Sequence, residues 1–194
     1  MIQALLVSTG VVALSEIGDK TQLLAFILAA RFRKPLPICL GIFIATVVNH
    51  AGAGAVGAWL TSVVSPQVLR WVLGIGFLAM AGWTLIPDKI DEEEESKTSL
   101  KLGVLGTTIV TFFLAEMGDK TQIATVALAA RFDDLLPVVA CTTLGMLIAD
   151  VPAVFIGDRL SGRLPLKLVH GIAAAIFALL GVLTLMGAGS SFGL

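Results

Sequence analysis

"SEIGDKTQLLAFILAARF" at residues 15–32 returns as "AEMGDKTQIATVALAARF" at residues 115–132. The two stretches agree at 11 of 18 positions and lie 100 residues apart. Each sets a glutamate, an aspartate and a lysine into a chain whose other long segments are almost pure hydrocarbon. Of the 194 residues 57% are hydrophobic, and the mean hydropathy of +0.96 is too high for a soluble domain. Segments able to cross a hydrocarbon core recur roughly at residues 2–30, 36–60, 67–87, 100–130, 136–157 and 168–188. The expected fold is an all-α integral membrane protein with six transmembrane helices.

The likeness between halves extends past the quoted stretch at the same offset. Pro37 matches Pro137, Gly57 matches Gly157, Leu60 matches Leu160, Phe77 matches Phe177 and Thr84 matches Thr184. The chain is therefore a duplication: residues 1–87, an acidic linker at 88–99, and residues 100–194. Each half holds three spans. An odd number forces the second half to enter the membrane from the opposite side, which gives two inverted three-helix repeats, two half-bundles able to rock about a central site.

Loop charges set the expected orientation. Arg31, Arg33, Lys34, Lys89, Lys97, Lys101, Arg159, Arg163 and Lys167 follow the odd-numbered spans, whereas only Arg70 and Arg131 lie on the other side. The first group belongs in the cytoplasm, with both termini outside. The linker "PDKIDEEEESKTS" (87–99) reads as a solvated cytoplasmic tether, with a weaker cation-attracting role for Asp91–Glu95 as the other reading. The start of the chain lacks a charged n-region and a cleavage site, so Met1 is expected to begin the first span. A net charge of −1 and the lack of a basic stripe point away from a nucleic-acid partner. Cys39 and Cys141 have no metal-binding spacing and read as buried packing.

In a helical reading Glu16 and Asp19 share a face, as do Asp19 and Gln22, and Glu16 stands four residues from Lys20, so the two can pair. Glu116, Asp119, Lys120 and Gln122 repeat the arrangement. A charge at mid-membrane costs about 2.5–3.5 kcal/mol, so six facing lipid would cost on the order of 15–20 kcal/mol, beyond the typical stability of a domain. The six must face one another, or water. Two Glu–Lys pairs pinning helices together is the structural alternative, but apolar packing does that more cheaply, and it gives the aspartates no role. Span one is also too long: 30 helical residues reach roughly 45 Å, against a core of about 30 Å. Gly18 and Gly118 sit between the acids, where a break would free backbone carbonyls beside the carboxylates.

Glu16, Asp19, Glu116 and Asp119, with Thr21, Gln22, Thr121 and Gln122 as further oxygen donors, make an oxygen-rich cage. Oxygen-only ligation suits Ca²⁺, Mn²⁺ or Mg²⁺ and argues against Zn²⁺ and Cu⁺. Lys20 and Lys120 either neutralise the empty site or position the acids. Empty, the carboxylates take up protons in a low-dielectric interior; loaded, they shed them. That competition is the minimum chemistry of an antiporter. Asp150, in "LGMLIADVPAVFIG", is expected to serve the site or a proton relay. Its repeat mate His50 and the neighbouring Asn49 serve either as relay or second-layer groups, or as links between helices. His170, aligned with Arg70, reads as interfacial. The run "AGAGAVGA" (51–58) reads as close helix packing rather than a phosphate loop.

"EIGDKT" at 16–21 and "EMGDKT" at 116–121 closely resemble the duplicated E-x-G-D-[KR]-[TS] signature of the Gdt-one-like family of calcium/manganese cation–proton exchangers. The resemblance covers nearly the whole chain. It implies that Glu16, Asp19, Glu116 and Asp119 are the cation and proton sites. It also implies that the cargo is Mn²⁺, or secondly Ca²⁺, with no cofactor, and that the protein lies in a bacterial inner membrane. Two other functions fit less well. A passive divalent-cation channel, or an exporter of small organic solutes on a similar repeat, would not require proton exchange. An intramembrane aspartyl protease resembles a Tyr-Asp motif paired with Gly-x-Gly-Asp, but this chain has no Tyr and has Glu where the first Gly would stand.

Overall fold

The computed structural model describes residues 2–86, 102–132, 134–156 and 166–187. Eight helices occupy these residues: α1 (Ile2–Glu16), α2 (Lys20–Phe32), α3 (Pro35–Val63), α4 (Pro66–Thr84), α5 (Gly103–Glu116), α6 (Lys120–Phe132), α7 (Leu135–Ile156) and α8 (Leu166–Leu185). Each of the six expected segments falls on helix, but the first and fourth are each two helices. The interruptions lie at residues 17–19 and 117–119, where Gly18 (φ +84°) and Gly118 (φ +77°) take the left-handed conformation that side chains disfavour. The glycine break anticipated from length is present in both halves. The linker at 88–99, with Asp91–Glu95, lies outside the described residues, as do Arg159 and Arg163 and the side chains of Lys167 and His170.

The surface is inverted relative to that of a soluble protein. Leu36, Trp59, Ile75, Leu136, Phe155 and Leu179 are exposed, while Glu16, Asp19, Glu116, Asp119, Lys120 and Asp150 are each at most 2% exposed. Charges inside and large apolar side chains outside form the distribution that hydrocarbon selects. Taken singly, α3 and α7 are the described helices long and apolar enough to cross a bilayer. At 29 residues α3 is about 43 Å long, enough to cross a core of about 30 Å and reach into the headgroup layers.

The halves interlock rather than sit side by side. α1 and α2 pack on α7, and α5 and α6 pack on α3, so the broken helix pair of each half lies on the long helix of the other. α4 and α8 cross antiparallel, with Gly74 against Leu185 and Gly181. The repeat mates Phe77 and Phe177, both fully buried, meet with ring centroids 6.4 Å apart. Equivalent residues of the two halves thus meet at this stack. Small residues allow the close approaches. A side chain added at Gly57 would collide with the Val126 carbonyl and with Ala129 of α6, and one at Gly54 with Leu135. This bears out close packing at these two glycines of the 51–58 run, whereas Gly52 faces open space. Cys141 is buried and Cys39 only partly so; both thiols are free.

Candidate functional site

Every residue of the repeated motif has a local task, and the two copies perform it alike. The helix stops at the glutamate and the glycine turns the chain. Asp19 then caps α2, its Oδ1 accepting the Lys20 amide at 2.8 Å. Asp119 Oδ1 accepts the Lys120 amide at 2.6 Å. Thr21 Oγ1 donates to Glu16 Oε2 at 2.5 Å, and Thr121 Oγ1 donates to Glu116 Oε1. Gln22 Oε1 accepts the Gly18 amide at 2.8 Å, and Gln122 Oε1 accepts the Gly118 amide at 2.7 Å. The break thus leaves no stray donor at the glycine, because the glutamine one turn on satisfies it.

The expected Glu16–Lys20 pairing is not formed. Lys20 Nζ lies 3.2 Å from Asp119 Oδ2, and Lys120 Nζ lies 3.1 Å from Asp19 Oδ2. The lysines cross between repeats. The physical reason is the break itself: pairing at four residues presumes a continuous helix, and residues 17–19 interrupt it. Each aspartate therefore divides its labour, one oxygen capping its own helix and the other holding the opposite copy's ammonium. The two sides are unequal, for Lys120 is 1% exposed and the Lys20 side chain 28%.

The acids converge at this crossing. Glu16 is within electrostatic reach of Glu116, Asp19, Asp150 and Asp119, and Asp150 within reach of Glu116 and Asp19. Asp150 and His50, repeat mates on α7 and α3, are both fully buried. His50 Nε2 stands 4.0 Å from Glu116 Oε1, too far for a hydrogen bond. Among the described residues, Glu16 Oε1, Glu116 Oε2, both Asp150 oxygens and both His50 nitrogens are buried without a hydrogen-bond partner. Orphaned buried polar atoms cost about 1–3 kcal/mol each, so gathering several of them here is a sizeable expense of stability. It is not a finished cage: among the described residues no three acidic, imidazole or thiol groups are gathered at metal-ligating distance.

Gln22 and Gln122 tie the motifs to the long helices. Gln122 Nε2 donates to Asn49 Oδ1 at 2.5 Å, and Asn49 Nδ2 to the Phe113 carbonyl at 3.2 Å. A cavity of about 420 Å³ has Asn49 and Gln122 in its otherwise largely apolar wall. On the other side Gln22 Nε2 donates to the Ala149 carbonyl at 2.9 Å. That carbonyl was missed from sequence, although Pro152 inside α7 signalled a loosened backbone within one turn of Asp150.

Buried carboxylates from two interlocked repeats, each aspartate paired with the other copy's lysine inside an apolar shell, define an ion-handling membrane protein. The chain matches the family profile described as "Divalent cation/proton antiporter GDT1" over residues 4–92 and 104–191, and it belongs to that family. It is 48% identical to a Vibrio cholerae protein named "Putative manganese exporter", over 95% of this chain and 91% of that one. It is 30% identical to "GDT1-like protein sll0615" of Synechocystis, over 95% and 97% of the two chains. To the Arabidopsis thaliana "Protein PAM71-homolog, chloroplastic" it is 28% identical, over 89% of this chain and 56% of that protein. No solved structure matches the chain. The family is one of transporters, which removes the aspartyl-protease reading.

Proposed function

We propose that this protein exports a divalent cation, Mn²⁺ before Ca²⁺, from the cytoplasm in exchange for protons, at one site shared by both motif copies. Six spans in two inverted three-helix repeats, with both termini outside a bacterial inner membrane, supply the frame. The antiparallel crossing of α4 and α8 supports inversion, and the 48% identity to a protein named as a manganese exporter favours Mn²⁺. The observation that carries the reading is the crossed pairing of Lys20 with Asp119 and Lys120 with Asp19, amid buried glutamates with orphaned oxygens.

In this scheme Glu16, Asp19, Glu116 and Asp119 receive the cation. Thr21 and Thr121 hold the glutamates in place, while Gln22 and Gln122 brace the turns or turn an amide oxygen to the metal. Asp150, Asn49 and His50 line the second layer. The lysines stand in for the cation while it is away, and an arriving M²⁺ displaces them along with any carboxyl protons. A hard divalent ion accepts this oxygen set readily, and its departure leaves carboxylates that must be recharged by ammonium or by H⁺. Protons falling inward down their gradient then drive the cation outward.

Proteoliposomes carrying an internal pH dye test the scheme. Added Mn²⁺ moves protons through the wild-type protein, and Asp19→Asn abolishes the signal. Mn²⁺ flux without proton movement would mark a channel instead.

A further inference from the structure

Away from the acids, a cavity of about 670 Å³ opens at the end of the bundle where α4 begins and α6 and α8 finish. Arg70 of α4 and Arg131 from the last turn of α6 both stand in its wall, and none of the described residues that line it is acidic. Two guanidinium groups facing one space repel unless an anion joins them.

The surrounding polar atoms point the same way. Arg70 Nε is buried and has no hydrogen-bond partner among the described residues. Thr184, 4% exposed, also lines the cavity, and its hydroxyl likewise lacks a partner among them. Its repeat mate Thr84 donates to the Met80 carbonyl at 2.9 Å. The back-bond that normally satisfies a helical threonine is made in one half and forgone in the half facing the arginines. The start of α4 contributes as well. Ser65 makes no side-chain cap, and Pro66 and Gln67, at the positive end of the 19-residue α4, line the cavity. Gly187 keeps the space open, since a Cβ there would lie 3.1 Å from Arg70 Nη1.

We propose that this cavity binds an anionic phosphoryl group, held between Arg70 and Arg131 with the Thr184 hydroxyl as a further donor. The planar forks of arginine match phosphate oxygens in pairs, which a lysine point charge does not. Two sources share this chemistry, a phospholipid headgroup and free phosphate. Trp71 and Val68, exposed beside Arg70 on α4, set the cavity where an apolar surface gives way to the headgroup layer. The site stands apart from the acid cluster and does not depend on the transport reading.

Full-length protein in mild detergent provides the test, with phosphatidylglycerol retention followed by native mass spectrometry and inorganic phosphate binding by thermal shift. The double variant Arg70→Gln/Arg131→Gln should lose affinity at least tenfold, and Thr184→Val several-fold, as expected for lost charge-assisted and neutral hydrogen bonds. The paired Arg→Lys variant should fall between wild type and the glutamine variant. Binding of phosphatidylglycerol but not phosphate assigns the headgroup, and binding of phosphate alone assigns the free ion; either supports the proposal. Should the double variant fail to fold, Thr184→Val and the single Arg131→Gln decide. Equal retention of both probes by wild type and folded variants overturns the proposal.

Discussion

Lys120 offers the sharpest test of the crossed ion pairs. Its ammonium is almost wholly enclosed, 3.1 Å from Asp19 Oδ2. At an effective dielectric of about 20 the bare attraction over that distance is about 5 kcal/mol, most of it offset by desolvation. A charge-assisted hydrogen bond retains about 1.5–3 kcal/mol net. If Mn²⁺ must displace this ammonium to reach Asp19, Lys120→Gln removes a competitor of that strength. Mn²⁺ should then bind about 10- to 100-fold more tightly while turnover falls, because nothing recharges the aspartate as the cation leaves. Lys20→Gln should change affinity by no more than about threefold, since its side chain is 28% exposed and water screens the pair. Isothermal titration at pH 8 gives the affinities, and liposome flux gives turnover. A folded Lys120→Gln protein with unchanged or weakened Mn²⁺ affinity would refute the displacement argument.

Asp119→Asn should stop Mn²⁺-driven proton movement as completely as Asp19→Asn does, because each aspartate supplies a carboxylate to the one shared site, whatever the exposure of its lysine; residual exchange in one variant alone would refute a requirement for both. Acidification should weaken Mn²⁺ binding. Protons and cation compete for the same oxygens, so apparent Kd should fall as pH rises, with a logarithmic slope equal to the number of protons released. A Kd independent of pH between 5.5 and 8 would contradict a shared site. Gly118→Ala meets no neighbouring atom but forces a side chain into positive φ, at a cost of about 1–2 kcal/mol. A lowered melting temperature, with flux reduced further than stability, is the expected result.

Much of this arrangement could be read from residue order. The 100-residue offset disclosed the duplication, and a first segment too long for a bilayer, with a glycine between its acids, disclosed the break. Lysine pairing was misread because the helical spacing rule was applied across the very break that cancels it. The partners of Lys20 and Lys120 lie about 100 residues away, and only the interlocked packing brings them near. The Gln22 contact to the Ala149 carbonyl was illegible for another reason: a backbone acceptor has no residue type, and the adjacent Pro152 was its only trace.

The exchange of helices between halves bears on how the protein is made. Synthesis at roughly 5–20 residues per second places the second motif in the membrane about 5–20 s after the first. Throughout that interval Glu16, Asp19 and Lys20 sit in a nascent segment whose α7 cradle and opposite lysine do not yet exist. The half-made chain is therefore the most vulnerable form of this molecule, with ionised groups awaiting neutralisation amid acyl chains. Quality-control proteases and insertion chaperones would meet it there, and truncations after α4 should be cleared rapidly rather than persist as stable fragments.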